Sequence, residues 1–482
     1  MRLSQVTPNV LQGAGRAAVL LAATLVAACS TTRPWLNAPM AASAPTDAAG
    51  GIGSMRSAGP ARQPTVIAAV ALSGGGARAA AFGLGVLEEL KATRIEVDGR
   101  ETTLLDEVEL ISGVSGGSIL ASYYAAFGDE TFTRFAPEYL DTEFQSRLIG
   151  YALAPLGSYR LSSPWYGRSN ALADRLDAVF RGRTFGDLKA RRRGPRLLVT
   201  ATDLTTGAPF EFTPEQFALI CSDLDSVPLS FAVAASSSVP ILLSPMTLRN
   251  YAGSCPQSDQ VYDDAMAESN LSARLLRLIA QSYHDARQRP FLHLVDGGLA
   301  DNLGVRGLLD HVVARGSLRD SFAQMPPGSV HRIVLVSVNS ERDLGERIDD
   351  DDRVPGTGQV LNALVFGAGS RATTETSAMV VDAAHRLANE LSADRGSPGS
   401  PFAADAQLYV IAVRLQDAPD DAARRALLMV PTALTISPTQ VRDLRDAGRR
   451  TLRAAPEFQK LLGSLKGLSI RPEVADGQDV RK

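Results

Sequence analysis

The sequence predicts an α/β fold with a mostly parallel central sheet, on three observations. Val66–Leu72 is an unbroken apolar run of strand length, stopped by Ser73-Gly74-Gly75-Gly76 and followed by a helix-compatible stretch at 77–90. The same order returns at 108–127: an apolar run, a glycine turn, then residues that favour a helix. Further apolar runs at 196–202, Phe291–Val295 and 332–339 supply more strands for the same core. At 482 residues and 45% hydrophobic, the chain can bury one large core or two smaller ones. Its net charge is −3, and Arg191-Arg192-Arg193 is the one local basic cluster, read as a solvated loop, so nucleic acid is not an expected partner.

Taken in order, the amino end reads as an export signal. Arg2 and Arg16 precede an apolar run at 17–28, too short to span a bilayer comfortably. It closes on Leu25-Val26-Ala27-Ala28-Cys29, and small residues before a cysteine resemble the lipobox of bacterial lipoproteins. The expectation is a signal over 1–28 and a lipid anchor on Cys29, with a plain secretory signal as the alternative. Ser30, being other than Asp, resembles outer-membrane sorting in a Gram-negative host, facing the periplasm. Residues 29–64 are rich in Ala, Pro, Ser and Gly without periodicity and read as a flexible tether.

The globular part spans 65–340. In its first helix Phe82, Val86, Leu87 and Leu90 form one stripe. Between 129 and 193 the pattern loosens and aromatics mix with turn residues; they fill a core layer or cover an apolar access path. A strand at 196–202 turns through Asp203-Leu204-Thr205-Thr206-Gly207 into another at 209–213. The run 231–243 carries Ala234-Ala235-Ser236-Ser237-Ser238-Val239-Pro240, whose small side chains let elements approach closely. Phe291–Val295 ends in Asp296-Gly297-Gly298. The segment 341–356 is an acidic excursion, and 341–482 reads as an extension against the same domain. It holds a strand at 407–415 and a final helix with Ser437 as cap, Pro438 in the first turn and Gln440 three after the cap. Cys221 and Cys255 either form a disulfide in an oxidising compartment or remain two buried thiols.

The chemistry gathers at the glycine turns. Gly113-Val114-Ser115-Gly116-Gly117 is a complete G-x-S-x-G, the pattern of a nucleophile elbow, with Ser115 on a tight strand-to-helix turn. A serine alcohol needs a proton acceptor. Of five histidines, His293 lies closest in sequence to the Asp296 loop, but along a strand Phe291, His293 and Val295 share one face and Asp296 takes the other. The remaining acceptor is Asp296 itself, at the carboxyl end of a strand, on the rim where Ser115 also stands. The Gly74-Gly75-Gly76 loop offers N–H groups at a helix start to a developing oxyanion. That loop with Arg78 also fits the G-x-G-x-x-A of dinucleotide-binding folds, but Glu96 and Glu109 are loose candidates for the expected acid, and an exported chain lies outside the nicotinamide pool.

Together, Gly74-Gly75-Gly76-Ala77-Arg78-Ala79, Gly113 to Gly117, and Asp296-Gly297-Gly298 resemble, in order, the three motifs of the patatin-like phospholipases. The stretches 202–207 and 235–240 resemble family blocks too, so the likeness covers about 66–339. The resemblance implies a three-layer α/β/α sandwich and a Ser–Asp dyad, with Ser115 as nucleophile and Asp296 as base. It implies an oxyanion hole from Gly74, Gly75, Gly76 and Gly116, supported by Arg78, Gly113, Gly117, Gly297 and Gly298. It implies hydrolysis of lipid or phospholipid esters with no metal and no cofactor. Ala79 replaces the family's glycine. Two alternatives stay open: a catalytically silent lipid-binding or envelope protein, and an acyltransferase using the same dyad. Head group, acyl position and oligomeric state are not legible.

Overall fold

The apolar runs align edge to edge into one sheet. The computed structural model describes residues 30–41, 66–97, 100–191, 194–255, 270–314, 316–342, 352–363 and 368–466. Its strands are β1 (Val66–Leu72), β2 (Arg94–Val97), β3 (Arg100–Thr103), β4 (Val108–Val114), β5 (Arg196–Asp203), β6 (Pro209–Glu211), β7 (Met246–Arg249), β8 (Phe291–Val295), β9 (Val330–Asn339) and β10 (Phe402–Arg414). The main sheet runs β10-β9-β1-β4-β5-β8-β7, with β6 beside β5, while β2 and β3 form a separate hairpin. Pairings from β10 to β5 are parallel; β8 on β5, β7 on β8 and β6 on β5 are antiparallel. The expected mostly parallel sheet is present, with an antiparallel edge built by β8, which its apolar run announces, and by β7, whose four residues carry little sequence pattern.

Helices cover both faces. They include α1 (Gly76–Ala92), α2 (Gly116–Phe127), α3 (Phe144–Leu153), α4 (Pro155–Leu161), α5 (Arg168–Phe180), α6 (Leu229–Ser236), α7 (Leu271–Tyr283), α8 (Ala368–Asp394), α9 (Pro438–Ala454) and α10 (Pro456–Leu465). Side chains alternate along each strand, and the core divides accordingly. Val66, Ala68, Val70 and Leu72 of β1 join α1, α2 and α9 on one side. Ile67 meets Phe322 and Leu391 on the other, and Ala71 meets Leu309 and Val380. The result is a three-layer α/β/α sandwich.

The region after 341 is part of that sandwich rather than an appendage. β10 is the outer parallel strand beside β9, and α9 lies along α1. The two helices cross so closely that a Cβ on Gly85 would collide with the Arg445 carbonyl, and one on Gly448 with that of Phe82. Glu88 pairs with Arg445 and Arg449, and Glu89 takes a two-pronged contact from Arg453 at 2.8 and 2.6 Å. The α9 cap forms as its sequence implies: Ser437 Oγ accepts from the Gln440 N–H, and Gln440 returns the bond to the Ser437 N–H.

The tether reading is corrected for residues 30–41, which lie docked on the domain. Trp35 packs on Phe231 at 4.7 Å between ring centroids. Asn37 bonds Ser222 Oγ, the Arg249 carbonyl and the Arg249 N–H, and Tyr251 donates to the Asn37 carbonyl. Alanine- and proline-rich composition masked a few strong anchors, one aromatic and one amide. Residues 42–65 and Cys29 lie outside the described residues. Cys221 and Cys255 are joined in a disulfide, with Cα atoms 5.6 Å apart.

Alanine in place of glycine inside a helix ordinarily stabilises by about 1 kcal/mol. At Gly85 the added methyl meets the α9 backbone, so Gly85→Ala is expected to destabilise by roughly 1–3 kcal/mol. Urea unfolding measures it, and a raised midpoint would contradict the close crossing.

Candidate active site

β4 ends on Val114, and Ser115 takes φ 49° and ψ −121° before α2 begins at Gly116. A non-glycine residue at positive φ is strained by on the order of 1–3 kcal/mol. The strain is held by neighbours. The Ser115 carbonyl accepts from Ser118 Oγ at 2.6 Å and the Ser118 N–H at 2.9 Å, and the Ser115 N–H donates to Ser236 Oγ at 2.8 Å. The turn leaves no room for side chains around the serine. A Cβ on Gly116 would strike the Gly76 backbone, and one on Gly117 the Leu72 carbonyl. Gly113 closes the same crossing from the strand side, against Ser118. That spacing of small residues is what lets α1, α2 and their strands meet at one point.

Ser115 Oγ donates to Asp296 Oδ2 at 2.8 Å, across 181 residues of sequence. The other carboxylate oxygen accepts the Gly298 N–H at 2.8 Å. The backbone is fixed as well. The Asp296 and Gly297 N–H groups donate to the Ser238 and Ser236 carbonyls, and Thr202 Oγ1 donates to the Asp296 carbonyl. Among the described residues no histidine lines the cleft; His293 is solvent-facing and meets Thr247 Oγ1 at 3.1 Å. Asp296 is only 8% exposed. Burial pushes its carboxyl up to about 6, against the lowering pull of the Gly298 N–H and the Ser115 hydroxyl. It is therefore mostly ionised at neutral pH and close to its own titration point.

Gly75 and Gly76 sit at φ 138° and 62°, conformations that favour glycine, and start α1 above Ser115. The four expected N–H donors do not all serve. The Gly74 N–H is committed to the Asn302 carbonyl at 3.0 Å, which removes Gly74 from the oxyanion set. Among the described residues no protein acceptor takes the N–H groups of Gly75, Gly76 or Gly116. Arg78 lines the same cleft as Ser115, and its guanidinium donates through Nε to the Ser340 carbonyl at 2.9 Å and through Nη1 to the Val430 carbonyl at 2.7 Å. Burial, helped by the Arg342 charge, lowers Arg78 to about 10, still cationic at neutral pH. It braces the loop. Ser340 Oγ donates to the Gly74 carbonyl, Ser73 Oγ accepts the Ser340 N–H, and the Ala433 carbonyl accepts the Ala77 N–H at 2.7 Å.

Ser115, Asp296, Gly74 and Gly75 line a cleft of ≈ 720 Å³ including its open mouth. Val239 and Pro240 form one wall, and Glu341, Arg342, Ser370 and Thr432 form another. Three contributors escaped the sequence reading. Ser236 stood in the small-residue run without a role, yet its hydroxyl accepts from Ser115 and donates to the Thr200 carbonyl at 2.7 Å. Asn302 carried no signal at all. Thr432 belongs to a region outside every motif.

Residues 70–309 match the family model for patatin-like phospholipase. A comparison with curated proteins gives no match. Among solved structures, human GIVD cytosolic phospholipase A2 aligns over 87% of this chain and 62% of its own, at 14% identity and a TM-score of 0.40. This chain thus spans less than two thirds of that protein's length. The same human protein in complex with methyl gamma-linolenyl fluorophosphonate aligns over the same shares at 13% identity and a TM-score of 0.37. VipD from Legionella pneumophila aligns over 83% of this chain and 67% of its own, at 13% identity and a TM-score of 0.33.

The raised Asp296 value carries a stability consequence with a definite sign. Folding disfavours the ionised carboxylate, so its contribution is fully present below about pH 4 and lost as pH rises through about 6. Asp296→Asn abolishes that loss. The variant is expected to unfold at a higher temperature than the parent at pH 8, by at most about 3 kcal/mol, and at the same temperature near pH 4. Calorimetry across that range checks it; a gap that does not close towards pH 4 rejects burial as the cause.

Proposed function

Given that residues 70–309 form a patatin-like phospholipase domain, we propose that the chain is a serine acyl hydrolase cleaving lipid carboxylic esters. The observation that carries the reading is the 2.8 Å bond from Ser115 Oγ to Asp296, beside three uncommitted backbone donors. Asp296 Oδ2 takes the hydroxyl proton as Ser115 Oγ forms a bond to the ester carbonyl carbon. The carbonyl oxygen becomes an oxyanion held by the N–H groups of Gly75, Gly76 and Gly116, with the α2 amino end adding positive potential. The intermediate collapses, the alcohol leaves with the proton from Asp296, and the acyl group stays on Ser115. Water then attacks, giving its proton to Asp296, and release of the fatty acid returns the proton to Ser115.

The donors need no rearrangement, because Arg78 and Ser340 already fix the loop. The missing imidazole is consistent with an acid tuned near 6, which ionises at working pH yet remains basic enough to accept a proton. We also propose that Cys29 is lipidated and that the protein faces the periplasm from the outer membrane; both rest on the amino-terminal sequence. Mass spectrometry of the membrane-extracted chain tests the first, and a free Cys29 thiol would count against it.

Ser115→Ala is expected to remove ester turnover and labelling by a fluorophosphonate, with the fold retained. Asp296→Asn is expected to lower kcat by on the order of 10²–10⁴. In the parent, kcat/KM falls on the acid side with a midpoint near pH 6, because the base must be ionised. Fluorophosphonate labelling of Ser115→Ala equal to that of the parent rejects the assignment, and a chain that is never labelled supports a silent lipid-binding role instead. Transfer of the acyl group to an added lipid alcohol in preference to water marks an acyltransferase.

A further inference from the structure

The aromatics of 129–193 divide into two groups. Phe135, Tyr139 and Phe144 pack in the core against one another and against Tyr123 of α2. Others do not. On α3, Ile149 is exposed and Leu153 is 76% exposed; on α4, Leu156 is 67% exposed with Tyr159 beside it; Trp165 follows. The loop after α6 adds Ile241, held at φ 75°, and Leu242, 65% exposed. Such a concentration of large apolar side chains in water is unusual for a surface that binds nothing.

Hydrogen bonds tie the segments that carry these side chains to both walls of the cleft. Arg168, three residues after Trp165, donates to the Ile241 carbonyl at 2.8 Å, and Ser169 binds Ser244. Val239 and Pro240, the residues before Ile241, line the cleft with Ser115. On the opposite side the start of α3 is tied to the other wall: the Gln145 N–H donates to Thr435 Oγ1, and Gln145 Oε1 accepts the Leu434 N–H. Thr432 of that segment lines the cleft.

The chain itself leads to the same face. The Ser30 N–H donates to Ser162 Oγ at 3.2 Å, Ser163 Oγ donates to the Thr32 carbonyl at 2.7 Å, and the Arg33 guanidinium lies 3.4 Å from the centre of the Trp165 ring. Cys29, the proposed lipid anchor, immediately precedes Ser30. Exposed Arg33, Arg147 and Arg168 ring the apolar positions. Tryptophan and tyrosine with arginine at their margin suit the boundary between acyl chains and anionic head groups.

We propose that the face made by α3, α4, Trp165 and the 241–242 loop docks on the surface of an anionic lipid bilayer, with the Ser115 cleft opening into it. The attachment is peripheral: among the described residues no helix is long and apolar enough to cross a membrane. A lipid ester then reaches Ser115 along Val239 and Pro240 without passing through water. The role of the face rests on the lipid-ester reading, but its test does not need turnover.

The test uses the chain from residue 29 onward with Cys29→Ser and Trp35→Phe, so that neither a lipid nor the apolar 17–28 run anchors it and Trp165 is the single tryptophan. Vesicles of phosphatidylethanolamine and phosphatidylglycerol carrying brominated acyl chains are expected to quench Trp165 and shift its emission to the blue. Leu153→Asp with Leu156→Asp is expected to lower the quenching at a fixed lipid concentration about tenfold. Leu271→Ser with Leu278→Ser, on the exposed stripe of α7, leaves it unchanged, whereas brominated phosphatidylcholine alone quenches less. Turnover of a water-soluble short-chain ester stays at the parent level in the Asp pair, which shows an intact fold. An unquenched Trp165, or quenching indifferent to the Asp pair, overturns the proposal; so does a dimer that the Asp pair splits without any lipid effect. Quenching as expected in a chain that hydrolyses no ester leaves the docking face standing and rejects the acyl-hydrolase reading instead.

Discussion

An ionisable acid shut away from water beside a single hydroxyl is the constraint on which the rest of the site depends. Asp296 has no cationic partner in the contacts described; a glycine amide and the Ser115 hydroxyl are what its oxygens touch. Burial without a counter-charge is unfavourable to the charged form. It also keeps the carboxylate basic, which a salt bridge would abolish. The backbone answers by pinning both residues: Ser236 holds the amide of Ser115 with its hydroxyl and the amide of Gly297 with its carbonyl. One small side chain thus sets the separation of the two reacting groups.

The glycine loop shows the same economy of parts. Its amides face the cleft because their neighbours are already used: Gly74 by Asn302, Ala77 by Ala433. Arg78, the charge carried by the glycine-loop motif, binds two backbone carbonyls. Removing that guanidinium would leave two buried acceptors unmatched, so its conspicuous place in the motif is explained by architecture.

How much of this was legible follows from the range of the forces. β1, α1, α2, β5 and the α9 cap are written in local periodicity, glycine turns and one S-P-x-Q cap, and these appear within a residue or two of their expected places. Ser115 and Asp296 stood out because turn glycines flank each, and the structure brings them together. The losses are all long-range. Nothing near Gly74 tells that a carbonyl 228 positions later (302 − 74) will occupy its amide. β7 and the β2–β3 hairpin are four residues per strand, too short to show alternation. The docked amino-terminal segment depends on Trp35 finding Phe231, a contact that low-complexity surroundings conceal.

The family match ends at 309, but the sheet does not. β9 and β10 come later in the chain, and β9 is the neighbour that covers the outer side of β1. A fragment cut at the end of the match would keep the hydroxyl and the acid yet expose seven residues of unpaired, wholly apolar strand. Such a bare edge invites pairing with another copy of itself. The matched stretch and the folded sheet are therefore different lengths of polypeptide, and a boundary drawn at the end of the match would strip two strands from one side of the sheet.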